Sequence, residues 1–95
     1  MKRYFVYILK CADSSYYIGL TQDLEQRFAE HNNGQGGYFT SSRLPVSLVF
    51  VQDFGTKDEA LVVERQLKGW SRKKKEALIA HRWDALRHLA KKHFK

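Results

Sequence analysis

The sequence predicts an α+β fold, in which a small, mostly antiparallel three-stranded sheet is flanked by helices in the order β-β-α-β-α-α. Two observations support this class. Three short runs are rich in aromatic and β-branched residues, and the stretches that follow the second and third runs carry apolar residues at helical spacing. The 95 residues, 43% of them apolar, suffice for one domain with a modest core, spanning residues 1–95.

The first two strands are predicted to form a hairpin. The runs Tyr4–Leu9 and Tyr16–Leu20 flank residues 11–15, which are small or turn-forming. Each run carries a tyrosine at a comparable place, Tyr7 and Tyr17. Because strand side chains alternate between two faces, both tyrosines project from the same face if the turn has an odd number of unpaired residues. Tyrosines are common in strands, so the pair alone does not indicate a functional site.

A helix is predicted directly after the hairpin, with Thr21 or Asp23 as its N-cap. Its apolar stripe includes two polar residues one turn apart, Arg27 and His31. A charge on the inward face of a helix is unusual unless it has a partner, and a histidine there is more often structural than functional. The helix is expected to end in the Asn- and Gly-rich run at residues 32–37, which favours a flexible loop.

The third strand and the helix that follows it are predicted from a second apolar run. Residues 38–43 are expected to be a polar connection, and Val46–Phe54 is dense enough in apolar residues to be central or well covered. Thr56 and Glu59 have the spacing of a capping box, which starts the next helix. Within this helix, Glu64 borders the apolar face.

The net charge of +7 is distributed unevenly along the chain. Residues 1–67 carry seven Lys or Arg against eight Asp or Glu, whereas residues 68–95 carry ten against two. The last third is therefore predicted to be a basic, amphipathic helical segment. Such a segment suits the phosphate backbone of nucleic acid, although a solvated helical face without a partner is an alternative. The candidate nucleic-acid-binding residues are Arg43, Arg72, Lys73, Lys74 and Lys75.

Several other classes of protein are disfavoured. The longest apolar run is too short to cross a bilayer, and the first residues lack the pattern of a secretory signal peptide, so no membrane partner is expected. Cys11 is the only cysteine, which excludes an internal disulfide and a cysteine-rich zinc site. It is expected to be buried or a turn residue rather than a catalytic thiol. These features predict a cytoplasmic protein.

Five polar residues on the predicted hairpin and two predicted helices have side chains suited to phosphodiester cleavage. A carboxylate can hold a divalent cation that polarises the phosphate, and an arginine stabilises charge on the phosphoryl oxygens. A tyrosine phenol can transfer a proton to or from water. With a single carboxylate, one cation is expected rather than two, and the simpler alternative is a structural ion pair between the arginine and the glutamate. The five residues are Tyr7, Tyr17, Arg27, His31 and Glu64.

The motifs of the hairpin resemble the signature of the GIY-YIG nuclease family. Val6-Tyr7 in the first strand and Tyr17-Ile18-Gly19 in the second match its two tyrosine motifs. The likeness covers nearly the whole chain, because the Arg-bearing helix, the third strand and the Glu-bearing helix follow in the order of that family. Residues 40–46 and 68–75 are similar to its small stand-alone bacterial branch, the YhbQ-like proteins.

The resemblance implies a role for each candidate residue. Tyr7 and Tyr17 match the motif tyrosines, of which one, more often the first, is taken as the general base. Arg27 matches the arginine that steadies the scissile phosphate, and His31 matches a position assigned to proton transfer. Glu64 matches the glutamate that holds Mg²⁺ or Mn²⁺. Two departures stand out: the first motif lacks its glycine, and no Asn follows the Glu-bearing helix, where several members place one.

The sequence therefore predicts a metal-dependent endonuclease that hydrolyses phosphodiester bonds in DNA, with branched or damaged DNA and DNA repair as candidate contexts. One alternative is a nuclease fold that serves as a nucleic-acid-binding module with slow or no catalysis. A basic globular protein without either function is disfavoured by the five polar residues. DNA is the expected partner, with RNA as the alternative, and the oligomeric state is left open.

Overall fold

A computed structural model of the chain describes residues 2–81. Its three strands, β1 (Tyr4–Lys10), β2 (Tyr16–Thr21) and β3 (Ser47–Phe54), form one sheet in the order β2-β1-β3. Both pairs of neighbouring strands are antiparallel. The predicted α+β fold with a three-stranded antiparallel sheet is confirmed.

The central strand is β1, whereas β3 lies at an edge of the sheet. The expectation that the third strand is central or well covered is therefore wrong. Residues 6–9 of β1 are buried, while Leu48 of β3 is 37% exposed. The pairing of β1 with β3 also shifts between Ile8 and Leu9, where β3 contains one extra residue. Apolar density alone does not distinguish a central strand from an edge strand that packs through part of its length.

The register of the hairpin brings both motif tyrosines to one face of the sheet. Tyr7 lies opposite Gly19 in the β1–β2 ladder, and Leu9 lies opposite Tyr17. Residues 11–15 remain between the strands, an odd number, as the sequence argument requires. The prediction is confirmed, because the side chains of Tyr7 and Tyr17 pack in the same apolar cluster.

Helices cover both faces of the sheet. One face packs against α3 (Lys57–Lys68), which buries Leu67 there. The opposite face, which carries the two motif tyrosines, packs against α1 (Leu24–Asn32) through Phe28. Burial of a side chain such as Leu67 stabilises the fold by roughly 1.5–3 kcal/mol, so apolar packing holds both helices against the sheet.

Local capping sets where these two helices begin. Asp23, rather than Thr21, caps α1, and its carboxylate accepts the Gln26 N–H at 3.1 Å. The capping residue of α3 is Thr56, whose Oγ1 accepts the Glu59 N–H at 3.2 Å. The predicted capping position is therefore confirmed for α3, and one of the two alternatives is selected for α1.

The connection between α1 and β3 contains a one-turn helix, α2 (Tyr38–Ser41), where the sequence predicted only a polar connection. Gly34 and Gly37 precede it with φ angles of +79° and +104°. Residues with side chains rarely adopt such angles, so these glycines allow the chain to turn back from α1 into α2. The turn brings α2 next to α1 on the face of the sheet that carries Tyr7 and Tyr17, called the tyrosine face below.

A further helix, α4, begins at residue 72 and continues to residue 81, where the described part of the chain ends. Ser71 caps it, because its hydroxyl accepts the Lys74 N–H at 3.2 Å. The rest of the basic segment predicted from the sequence, residues 82–95, lies outside the described residues.

Cys11 is a free thiol, 4% exposed, in the cluster that contains Tyr7, so the expectation that it is buried is confirmed. No helix within residues 2–81 is long and apolar enough to cross a membrane.

Candidate functional site

Three polar side chains from three elements form a continuous hydrogen-bonded chain. The phenol oxygen of Tyr7 on β1 lies 3.0 Å from Nε2 of His31 on α1. The other ring nitrogen, Nδ1, lies 2.8 Å from Oγ1 of Thr40 on α2. Tyr7 is 2% exposed, and His31 and Thr40 are fully buried. Buried polar groups need partners, and these three satisfy one another within the tyrosine face of the sheet.

The surroundings keep Tyr7 and His31 uncharged at neutral pH. Burial raises the pKa of Tyr7 to about 12; Tyr17 and Glu64 act in the same direction, and the guanidinium of Arg27 opposes them. Burial, together with the positive charge of Arg27, lowers the pKa of His31 below its ordinary value of about 6.5. The hydrogen bond between Tyr7 and His31 therefore joins a neutral phenol to a neutral imidazole.

The groups around the phenol set the direction of these hydrogen bonds. Arg27 interacts with the Tyr7 oxygen and can act only as a donor. The phenol proton therefore needs an acceptor, and Nε2 of His31 is the acceptor within reach in residues 2–81. Because a neutral imidazole protonates one nitrogen only, Nδ1 carries the proton and donates it to Oγ1 of Thr40. We assign His31 to this tautomer, which leaves Nε2 able to accept a proton from Tyr7.

Arg27 is half-buried at this site and is held by two hydrogen bonds. Its Nη1 donates to Oε1 of Glu30 at 3.0 Å, and its Nη2 donates to the carbonyl oxygen of Gly36 at 3.3 Å. Glu30, and to a smaller extent the phenols of Tyr7 and Tyr17, raise the pKa of the guanidinium above its ordinary value. Arg27 is therefore a permanent cation with a fixed orientation next to both motif tyrosines.

Tyr17 packs against the other rings of the site. Its ring centroid lies 5.0 Å from that of His31, 6.3 Å from that of Tyr7 and 6.0 Å from that of Phe39. Aromatic rings attract one another at such separations, so the cluster supports the orientation of each ring. Tyr17 is half-buried whereas Tyr7 is buried, which makes Tyr17 the more accessible of the two phenols.

Two glycines give the site its space. A Cβ atom at Gly19 would overlap the phenol end of Tyr7, and a Cβ atom at Gly36 would overlap the ring of His31. Both glycines are buried. Any larger residue at either position would displace a member of the hydrogen-bonded chain, so the absence of a side chain is a geometric requirement at both.

Glu64 acts on the site from α3, the helix on the other face of the sheet. Its side chain is 15% exposed, and Oε2 lies 3.3 Å from Nζ of Lys68. Its charge raises the pKa of Tyr7, although burial of the phenol is the larger cause. The structural ion pair with Arg27 that the sequence left open is not formed, because Arg27 pairs with Glu30. Residues 2–81 hold no group of three or more His, Cys, Asp or Glu side chains suited to a metal ion.

Arg43 lies near the site and connects two segments of the chain. Its Nε lies 3.0 Å from Oδ2 of Asp13 in the hairpin turn, and its Nη1 donates to the carbonyl oxygen of Phe39 at 3.0 Å. The guanidinium also lies 4.1 Å from the centroid of the Phe39 ring. With its side chain 31% exposed, Arg43 has both a structural role and a cationic surface beside Tyr17 and Phe39.

The remaining basic candidates, residues 72–75, are not part of the tyrosine cluster. Arg72 donates to the carbonyl oxygen of Ser14 at 2.6 Å, and its guanidinium lies 4.7 Å from the ring of Tyr16. Tyr16 packs on the α3 face, opposite to Tyr17. The lysines of residues 73–75 are exposed or half-buried at the start of α4. The structure therefore places this basic group beside the hairpin turn and on the other side of the sheet.

Sequence reasoning missed three residues that shape the site: Thr40, Glu30 and Gly36. Glu30 follows Arg27 by three residues in a helix, a spacing that indicates an ion pair and that could have been read from the sequence. Thr40 and Gly36 carry no such local signal, because both reach His31 only through the turn between α1 and α2.

The comparisons with known proteins bear on the family and the fold of the chain. A family model described as the GIY-YIG catalytic domain matches residues 3–77, which include the hairpin, α1, β3 and α3. The chain belongs to the GIY-YIG family. The resemblance drawn from the two tyrosine motifs is thereby confirmed, and the family assignment supports a nuclease-type catalytic domain.

Relatives of this GIY-YIG chain include small bacterial proteins of similar length. The UPF0213 protein SSP2268 of Staphylococcus saprophyticus is 48% identical over 80 residues, which cover 84% of this chain and 98% of that protein. The UPF0213 protein YazA of Bacillus subtilis is 46% identical over 76 residues, which cover 80% and 77% of the two chains. These matches support the small stand-alone branch inferred from residues 40–46 and 68–75.

Two solution NMR structures share the fold of this GIY-YIG chain. The UPF0213 protein BH0048 from Bacillus halodurans is 41% identical, with a TM-score of 0.56 over 82% of this chain and 83% of that one. The protein EF2693 from E. faecalis is 36% identical, with a TM-score of 0.61 over 85% and 86% of the two chains. Both support the antiparallel sheet flanked by helices.

Proposed function

We propose that this GIY-YIG protein is a divalent-metal-dependent endonuclease that hydrolyses phosphodiester bonds in DNA. The observation that carries the proposal is the buried chain from Tyr7 through His31 to Thr40, with the fixed cation of Arg27 beside it. A structural role alone does not require a phenol, an imidazole and a guanidinium to meet at one point. Branched and damaged DNA, and with them a role in DNA repair, belong to the same proposal.

The hydrogen-bonded chain supports the activation of a water molecule. Tyr7 accepts a proton from the water at its phenol oxygen while it passes its own proton to Nε2 of His31. The phenol therefore acts as a base without prior ionisation, which its pKa of about 12 would make rare at neutral pH. Thr40 accepts the Nδ1–H of the imidazolium that forms, and Thr40 is thus a positioning residue.

Arg27 is proposed to bind the scissile phosphate. Charge accumulates on the phosphoryl oxygens in the transition state, and a guanidinium offers several donors in a rigid plane. The bonds to Glu30 and Gly36 hold this plane in place before substrate binds, so less orientational freedom is lost during the reaction. Tyr17, which is half-buried next to Arg27, is proposed to donate a hydrogen bond to the same phosphate.

The donor set fits one Mg²⁺ or Mn²⁺ ion. Glu64 offers one carboxylate, and Mg²⁺ typically binds through one or two carboxylates together with water and substrate phosphates. Residues 2–81 hold no group of three or more His, Cys, Asp or Glu side chains that could surround the ion with protein ligands alone. When bound, the cation would neutralise charge on the phosphate and the departing oxygen. Lys68 holds the Glu64 carboxylate in the free protein, so the cation has to compete with this ion pair.

The proposal is tested by the nicking of supercoiled plasmid with and without Mg²⁺ or Mn²⁺. Wild-type protein is expected to nick only with metal, and Glu64→Gln, which keeps the size of the side chain, is expected to lose this activity. Glu25→Gln is the matched control, because Glu25 is exposed on α1 and makes no side-chain hydrogen bond or ion pair with the described residues. Equal nicking by wild type and Glu64→Gln would refute the role of Glu64.

A non-catalytic nucleic-acid-binding module is the second candidate function. The ion pair between Glu64 and Lys68 favours it, since it occupies the carboxylate that catalysis requires. The same assay separates the two candidates. A wild-type protein that binds DNA but nicks none of the plasmid with either metal would support the binding module.

A further inference from the structure

Two aromatic side chains of α2 are turned toward solvent beside the candidate site. Tyr38 is 84% exposed, the most exposed large apolar side chain in residues 2–81, and Phe39 is 37% exposed. The next residue, Thr40, is fully buried against His31. Exposure therefore increases over three consecutive residues, from the buried Thr40 through Phe39 to Tyr38 at the surface.

Phe39 forms the inner part of this surface. Its ring lies between the ring of Tyr17, with centroids 6.0 Å apart, and the guanidinium of Arg43, 4.1 Å from its centroid. An aromatic ring flanked by a candidate catalytic phenol and a cation is continuous with the site rather than a separate apolar patch. Any ligand that covers Phe39 lies next to Tyr17.

Tyr38 forms the outer part, and its backbone is well anchored while its side chain is not. Its carbonyl oxygen accepts hydrogen bonds from the Ser42 N–H at 3.2 Å and from the hydroxyls of Ser41 and Ser42 at 3.2 and 3.0 Å. Among residues 2–81, none forms a hydrogen bond or a ring contact with the Tyr38 side chain. A free ring on a fixed turn can bind a flat partner with little loss of backbone freedom.

The chemistry of this surface favours a nucleobase. Aromatic rings next to arginine are the surface on which unpaired bases stack, and the cations of Arg43 and Arg27 suit the phosphates on either side of such a base. Bases within a duplex are already stacked on one another and do not present their faces. The occupant must therefore be an unpaired base in a single strand, bubble, flap or end.

We propose that Tyr38 and Phe39 form a stacking platform for one unpaired nucleobase next to the scissile phosphate, so that the preferred substrates are single-stranded or locally unpaired nucleic acids. This inference rests on the proposed function for the position of the phosphate. The binding of the base itself requires no catalysis and can be measured separately.

The experiment is a fluorescence anisotropy titration of the whole chain in EDTA, so that no cleavage occurs. The probes are a labelled mixed-sequence DNA single strand, the same strand annealed to its complement, and the RNA single strand of equal sequence. Tyr38→Ala is expected to weaken binding of the single strand by about 5- to 150-fold, the range found for loss of one stacked base, and to leave duplex binding unchanged. Equal losses for DNA and RNA would assign the platform to bases alone, whereas a loss confined to one of them would assign it to that nucleic acid.

Two further variants separate stacking from other causes. Tyr38→Phe keeps the ring and is expected to bind the single strand like wild type. Val62→Ala is the matched control, because Val62 is a 56% exposed apolar residue on α3, the helix that packs on the face of the sheet opposite to Tyr17. The platform is refuted if Tyr38→Ala binds the single strand as wild type does, or loses single strand and duplex equally. Tyr38 is so exposed that its loss should leave the fold intact, which circular dichroism can verify.

The outcome is independent of the plasmid assay. If wild type nicks plasmid with metal but Tyr38→Ala binds all three probes normally, the nuclease proposal stands and the platform is wrong. If wild type never nicks but Tyr38→Ala loses single-strand binding selectively, the platform stands as a binding site and the nuclease proposal is wrong.

Discussion

The substitution Thr40→Val removes the acceptor of the His31 Nδ1–H while it keeps a side chain of similar size. Both Thr40 and His31 are fully buried, so water does not readily replace the lost hydroxyl at the 2.8 Å contact. A buried donor left without a partner costs about 1–3 kcal/mol. The free energy of unfolding should fall by about that amount, and for a chain of this size each 1 kcal/mol lowers the melting temperature by about 4–8 °C.

The same substitution should also lower kcat, because it disturbs the position and the protonation of His31. Without an acceptor at Nδ1, the imidazole can rotate or place its proton on Nε2, where it blocks proton transfer from Tyr7. If the misplaced imidazole raises the activation free energy by about 1.4 kcal/mol, kcat falls about tenfold. KM should stay nearly constant, since Thr40 is buried and does not contact substrate.

The assay is steady-state cleavage with wild type, Thr40→Val and Thr40→Ser at several pH values, together with thermal melts. Thr40→Ser keeps a hydroxyl and should recover most of the lost activity and stability. In Thr40→Val the imidazolium loses an acceptor, so the pKa of His31 should fall further and the acidic limb of the rate profile should move to lower pH. The reasoning is refuted if Thr40→Val has the same kcat and melting temperature as wild type. It is also refuted if Thr40→Ser is as impaired as Thr40→Val.

Three further predictions follow from the same structure. Gly19→Ala places a methyl group into the phenol of Tyr7, so it should cost about 1–3 kcal/mol of stability and most of the activity, measured by denaturant unfolding and plasmid nicking. Replacement of the three lysines of residues 73–75 by Gln should reduce the slope of log affinity against log salt by up to about 0.9 per lysine, and an unchanged slope would mean that they form only a solvated face. Because burial lowers the pKa of His31, the unfolded chain binds more protons near pH 6, so stability should fall as the pH drops through about 6.5. His31→Asn should lack this component of the pH dependence, and an identical dependence in both proteins would contradict the assignment.

Local patterns were sufficient for the fold class and for the relative directions of several candidate residues. Period-two alternation and an odd number of turn residues determined that Tyr7 and Tyr17 share a face, and helical spacing brought Arg27 and His31 to one stripe. Both results depend only on residues close together in sequence, whose relative directions follow from backbone geometry. The family could be inferred for the same reason, since its motifs are short and lie within single elements.

Only the tertiary structure decided how each polar group is paired. It paired Arg27 with Glu30 and Glu64 with Lys68. It brought Thr40 into contact with His31 through a turn that the sequence predicted only to be polar. It also placed β1 rather than β3 at the centre of the sheet. Pairing across elements depends on how whole helices and strands pack, because the free energy that selects one partner over another is shared among many apolar contacts distant in sequence. The separate location of the basic residues 72–75 has the same origin: composition reports how much charge a chain carries, whereas the face on which that charge lies is set by the packing of α4 against the hairpin turn.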